Sequence, residues 1–133
     1  MDNAIVYVDR SRVLPGKSAE VRQAIHDLVA FVEAHEPQLL AYNFYLDDDA
    51  SEITLVAVHP DSASLERHVS VAGDAFRRFI PLIELRSIEL YGDPTDDVMQ
   101  KMHDKARMLG AGDRVVVQHL QAGFMRMPQA ARA

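Results

Sequence analysis

His68 is the side chain in this sequence best suited to moving a proton. An ordinary histidine titrates near ~6.5, so it can take up and release a proton at neutral pH. It falls within Ser62-Ala63-Ser64-Leu65-Glu66-Arg67-His68, where Leu65, His68, Val69 and Ala72 recur at helical spacing. That spacing sets His68 one turn from Leu65 and from Ala72, on the face a helix turns toward a packed interior. Asn43 and Tyr45 alternate along a strand-like segment and share one of its faces, where either could donate to a developing oxyanion. Phe76 and Phe79 follow His68 and supply an apolar wall. A base, two donors and a dry wall are the parts needed to deprotonate a weak acid and hold its anion. The same residue types also serve plain structure: a half-buried hydrogen-bonded His68, an Asn43 on a subunit-facing surface, a Tyr45 that only packs.

Other chemistries lack their residues. The 133-residue chain has no cysteine, which excludes disulfides and thiolate metal sites. His26, His35, His59, His103 and His119 show no ligand spacing, and His35-Glu36 lacks the second histidine of a His-Glu-x-x-His site. No metal site is therefore expected. Asp47-Asp48-Asp49-Ala50-Ser51-Glu52 is acidic, but it lacks the mid-loop glycine and terminal glutamate of a calcium loop and reads as a solvated turn. There is no glycine-rich phosphate loop and no serine nucleophile elbow. A net charge of −6 without a basic cluster argues against a nucleic-acid partner. No run approaches the ~20 apolar residues of a membrane span, and Met1-Asp2-Asn3 leads straight into a strand, so neither membrane nor signal peptide is expected. A cytoplasmic protein is the expectation.

The elements that must position these residues can be read in order. Ile5-Val6-Tyr7-Val8 is a strand, and Leu14-Pro15-Gly16-Lys17 breaks it before a helix with Ser18 as its N-cap. Val21, Ala24, Ile25, Leu28, Val29 and Val32 carry that helix, which must stop before Pro37. Leu39 to Leu46 and Ile53 to His59 form an antiparallel hairpin, with Leu40, Tyr42, Phe44 and Leu46 opposite Ala41, Asn43 and Tyr45. A second helix starts at Pro60-Asp61-Ser62, with Gly73 expected to interrupt it, and Glu84 to Tyr91 is the fourth strand. The order β-α-β-β-α-β predicts a ferredoxin-like α+β domain over residues 1–93, with its helices on one face of the sheet.

Ile53, Leu55 and Ala57 face one way and Thr54, Val56 and Val58 the other, so both faces of the third strand are largely apolar. A sheet with helices on one side and water on the other should alternate. A second subunit is the natural cover, and a homodimer is expected. Residues 94–133 form an extension: Thr95 caps a helix with Met99, Met102, Ala106 and Leu109 as its apolar stripe, Gly110-Ala111-Gly112 ends it, and Arg114 to His119 is a fifth strand. The extension should pack on its own domain or on the partner subunit, and Pro128 to Ala133 should fray.

The chain resembles the antibiotic biosynthesis monooxygenase superfamily of dimeric α+β barrels. The resemblance spans residues 4–92 and rests on Pro15-Gly16-Lys17, Glu36-Pro37, Leu40-Ala41-Tyr42-Asn43-Phe44-Tyr45, and the helix bearing His68. A tryptophan commonly closes the third strand in that family; His59 stands there, and the chain contains no tryptophan. Asp9, His68 and Arg78 occupy the positions matching the asparagine, tryptophan and histidine of the haem-degrading members, so haem degradation is not implied. What the resemblance does imply is a cofactor-independent monooxygenase acting on an aromatic phenol or quinol. His68 and Asn43 would be its catalytic residues and Tyr45, Phe76 and Phe79 would bind substrate, with no cofactor. The alternative is a non-catalytic dimeric module of the same fold that binds a small ligand or merely assembles.

Overall fold

A computed structural model describes residues 3–110 and 114–126. Pro128 to Ala133 and most of the Gly110-Ala111-Gly112 break lie outside the described residues. Five strands and three helices follow in the order β1 (Ile5–Val13), α1 (Ser18–His35), β2 (Ala41–Leu46), β3 (Glu52–His59), α2 (Ser62–Phe76), β4 (Ile83–Tyr91), α3 (Asp96–Met108) and β5 (Val115–Gln118), with a single 3-10 turn at Arg77–Phe79 after α2. They make one sheet of order β2-β3-β1-β4-β5. The first four strands pair antiparallel, and β5 adds to β4 in parallel, with Ile88 opposite Val115. The fold is α+β and ferredoxin-like, extended by one helix and one strand. No helix among the described residues is long and apolar enough to cross a membrane.

Strand periodicity decides which residues meet the helices. Along β1 the odd positions Ile5, Tyr7, Asp9, Ser11 and Val13 are all buried, and along β3 so are Ile53, Leu55, Ala57 and His59. From α1, Val21, Ala24, Leu28 and Val32 pack with Ile53, Phe79 and Leu82. Val98, Met102 and Ala106 of α3, with Leu109 just after it, join Ile5, Leu85, Ile88 and Leu90 in a second cluster. At the start of α3 the side chain of Thr95 accepts from the Val98 amide, and acidic Asp96 and Asp97 face the positive end of the helix dipole. Two local expectations are corrected. Ser18 is the first residue of α1 and not its cap, since Lys17 occupies that position without a side-chain bond. Gly73 does not interrupt α2, which runs unbroken to Phe76; one glycine costs a helix only about 1 kcal/mol, less than the packing of this face returns.

The other face of the sheet is divided. Val6, Val8, Val56 and Val58 form an apolar stripe, while Arg10–Glu89, Arg12–Glu84 and Arg86–Glu52 ion pairs occupy the remainder. The segment after β5 passes Val6 and Tyr91 and leaves a groove of about 530 Å³ there, with Phe124 82% exposed.

Two glycines should respond oppositely to alanine. At Gly92, φ is +137° and an added Cβ would stand 2.6 Å from the Ala4 carbonyl oxygen, so Gly92→Ala should lower stability by about 1–3 kcal/mol. At Gly73 an added Cβ meets nothing within 4 Å, so Gly73→Ala should raise it by about 0.5–1 kcal/mol. Urea midpoints of the two variants check both signs.

Candidate active site

Between the sheet and the helices lies a cleft of about 230 Å³. One face of α2 contributes Leu65, His68, Val69, Ala72, Gly73 and Phe76, the i, i+3, i+4 set that helical spacing puts in one stripe. The opposite wall is α3, through Lys101, Met102, Asp104, Lys105 and Met108, and Tyr7 of β1 forms the floor.

His68 is held from outside the cleft. Its Nδ1 lies 2.7 Å from Glu36 Oε2, and the Glu36 side chain is wholly buried. The position of Glu36 follows from Pro37: the residue before proline is driven out of the helical region, and Glu36 sits at φ −131°, ψ 71° as the C-cap of α1. There its amide donates to the Val32 carbonyl while its side chain turns inward under α2; Gln38 Nε2 donates to the other carboxylate oxygen at 3.3 Å. With Nδ1 committed to a carboxylate, it carries the proton, and Nε2 is left as the acceptor.

A second polar group faces the same cleft. Tyr7 Oη donates to Asp9 Oδ2 at 2.6 Å, and Lys105 Nζ donates to Tyr7 Oη at 2.6 Å and to Asp9 Oδ2 at 3.1 Å. The ammonium also stands 4.1 Å from the centroid of the Phe76 ring, a cation–π contact. Burial, and then the adjacent Asp9, push the Tyr7 hydroxyl well above the ordinary tyrosine pKa, so it stays a protonated donor. Burial does the same to Tyr42, reinforced by Asp9 and Glu36; its ring lies 5.2 Å from that of His68, and its buried hydroxyl has no hydrogen-bond partner among the described residues.

Behind His68 stands a second histidine. His59 closes β3 with its ring 5.7 Å from that of His68, its Nδ1 2.8 Å from Ser64 Oγ and its Nε2 without a hydrogen-bond partner among the described residues. Burial, and then the proximity of His68, lower its pKa to about 3, so it is neutral at physiological pH.

The residues singled out in the sequence divide between two places. His68 and Phe76 line the cleft. Phe79 stands behind the wall, stacked on Phe76 at 5.2 Å and on Phe44 at 5.9 Å. Asn43 and Tyr45 share a face with each other but not with His68: because Tyr42 and Phe44 turn toward the helices, their neighbours must turn away, and Tyr45 is 55% exposed. Sequence reasoning missed Tyr7, Glu36, His59 and Lys105, and did not use Asp9. One signal was available, since Asp9 and Ser11 interrupt the inward register of β1 with polar groups that need partners. Among the described residues no three His, Asp or Glu side chains gather as a metal ion would require.

This βαββαβ architecture is shared with solved structures that include two described as antibiotic biosynthesis monooxygenases. The chain superposes on MupZ from Pseudomonas fluorescens with a TM-score of 0.72 at 13% identity, over 95% of this chain and 91% of that one. A protein from Caulobacter crescentus CB15 assigned to the antibiotic biosynthesis monooxygenases gives 0.61 at 22% identity, over 71% and 92%. SnoaB from Streptomyces nogalater, a cofactor-independent oxygenase, gives 0.58 at 19% identity, over 70% and 95%. No protein-family model matches the chain, and no curated protein matches it in sequence. A match over 95% of the chain has to include most of residues 94–133, so the extension is part of the likeness to MupZ.

The buried His59 sets a pH dependence. Its folded pKa, about 3, lies below the unfolded value of 6.5, so the unfolded chain binds the extra proton between those values. The stability due to neutral His59 is complete above about pH 6.5 and is lost as pH falls toward 3, at a slope approaching about 1.4 kcal/mol per pH unit. Urea denaturation at pH 7, 5.5 and 4.5 should show that decline. In His59→Asn, which keeps an acceptor for Ser64, the decline should be shallower.

Proposed function

We propose that the protein is a cofactor-independent monooxygenase acting on a phenol or hydroquinone held in the cleft between α2 and α3. The observation that carries this reading is His68, oriented at 2.7 Å by a buried carboxylate and lining the cleft between α2 and α3. In such a reaction Nε2 of His68 takes the proton of the substrate hydroxyl, and Glu36 stabilises the imidazolium that results. The electron-rich anion then reduces dioxygen directly. One oxygen atom forms a new bond to ring carbon and the other leaves as water, so a hydroquinone and O₂ give a hydroxyquinone and H₂O. The apolar wall of Leu65, Val69, Ala72 and Phe76 keeps bulk water from the anion. SnoaB, which shares the fold, is a cofactor-independent oxygenase, and that likeness favours the reading over a purely structural role.

Oxygen uptake with a panel of hydroquinones tests the proposal. His68→Gln can still donate to Glu36 but cannot act as a base, whereas His68→Ala would leave a buried carboxylate unpaired. His68→Gln should therefore remain folded and lose roughly 10²–10⁴-fold in turnover with little change in binding. Undiminished turnover in His68→Gln ends the case for this base. No uptake by the parent with any member of the panel favours a non-catalytic ligand-binding module.

The same reading includes a homodimer. The valine stripe of Val6, Val8, Val56 and Val58, flanked by exposed Tyr45 and Tyr91, suits a second copy of the sheet, and Asn43 and Tyr45 then belong to the subunit contact instead of the reaction. Sedimentation equilibrium at micromolar concentration should report twice the 14.9 kDa chain mass. A monomer at every concentration removes this part of the proposal.

A further inference from the structure

The cleft is polar at two separate points. His68 and Phe76 lie two turns apart on α2, an axial separation of about 12 Å, and Lys105 Nζ stands over the Phe76 ring. The His68 end presents a hydrogen-bond acceptor, Nε2. The Phe76 end presents the Lys105 ammonium; Lys101 also lines the cleft, one turn back along α3 toward the paired starts of α2 and α3, where the Thr95 amide donates to Ser62 Oγ at 3.1 Å. Lys105 is offset by Asp9, and Asp104, which also lines the cleft, is committed to Arg107. Among the described residues no carboxylate lies within ion-pair distance of Lys101, so the α3 side of the cleft keeps a net positive charge.

Two of the three Lys105 donors are taken by Tyr7 and Asp9, which fixes the ammonium and leaves a third. Between the two polar ends the lining is apolar, and at its middle stands Gly73, beside which a Cβ would meet nothing within 4 Å. At about 230 Å³ the space is below the roughly 300–1,000 Å³ of sites for drug-sized ligands.

We infer that the cleft takes a flat, two-ring aromatic acid whose hydroxyl meets His68 and whose carboxylate meets Lys105, with Lys101 alongside the rings adding to the positive field and Gly73 making room for the ring edge. The hydroxyl end rests on the role proposed for His68; the carboxylate end rests on α3 alone. The extension then sets specificity, because both lysines come from α3, while β1 offers only the Tyr7 hydroxyl and the Asp9 carboxylate there.

Binding of 6-hydroxy-2-naphthoate and of 2-naphthol, measured by calorimetry in oxygen-free buffer, tests the inference without any turnover. The acid should bind at least tenfold more tightly than the naphthol. Lys101→Met should cut that preference several-fold. The paired change Asp9→Asn with Lys105→Met, which removes both charges together and so strands neither, should do the same. Gly73→Leu should abolish binding of both compounds while α2 stays helical by circular dichroism. Equal affinities, no binding of the acid at millimolar concentration, or a preference that survives the lysine substitutions would overturn the inference. The two proposals fail separately: a protein that binds the acid but never consumes oxygen loses the oxygenase reading alone, and one that oxidises hydroquinones with no regard for the carboxylate loses only this one.

Discussion

A single carboxylate in the central strand imposes most of what surrounds it. Asp9 lies midway along β1 on the side that faces the helices, 5% exposed, where every other inward position of the strand except Ser11 is filled by an apolar or aromatic group. An ion taken out of water costs several kcal/mol unless partners replace its hydration. Tyr7 supplies one from the same strand, two residues earlier and on the same face. The other must be a cation from elsewhere, and it comes from α3. The pairing of Asp9 with Lys105 therefore ties the C-terminal helix to the first strand, across the sheet strand β4 that lies between them in sequence. Without that tie, the wall that α3 gives the cleft would rest on the apolar packing of the helix and on the hydrogen bond from the Thr95 amide to Ser62 Oγ.

Glu36 and His68 form a comparable pair on the other side of α2. They join the end of α1 to the middle of α2, where Arg67 Nη2 also donates to the His35 carbonyl at 3.5 Å. Both pairs abut the cleft, and the Tyr42 hydroxyl and His59 Nε2, unpaired among the described residues, lie in the same region. Buried polar groups left without protein partners are rare in folded chains, and two of them this close to one histidine mark the least self-sufficient part of the core. That is the region in which a ligand or ordered water has hydrogen bonds to offer.

Local pattern carried the fold and distance hid much of the site. The alternation of Ile53 to His59, the helical spacing from Val21 to Val32, and the breaks at Pro15-Gly16 and Glu36-Pro37 each act within a few residues, which is why the βαββαβ order could be read directly. His68 was legible for the same reason, since its spacing from Leu65 and Ala72 fixes the face it occupies. Glu36 was visible only as the end of a helix, because its partner is 32 residues away. Lys105 read as a charge suited to the end of a helix, and nothing local tied it to Asp9. Asn43 and Tyr45 show the converse limit: alternation placed them together, but it could not say which side of the sheet the helices cover. Gly73 was read as a break because glycine disfavours helix, yet the packing of Val69, Ala72 and Phe76 outweighs a penalty of about 1 kcal/mol.

The span between Asp9 and Lys105 also fixes an order of events while the chain is being made. They are 96 residues apart, and at about 5–20 residues per second the ribosome delivers the second roughly 5–20 s after the first. Throughout that interval β1 has a charge on the side it must bury and no cation to meet it. Its pairing with β3 can begin as soon as His59 has emerged, but seating that face against the helices has to wait for α3. The nascent chain thus keeps a hydrated seam through its own core until the last helix arrives, and the cleft is the last part of the domain to close.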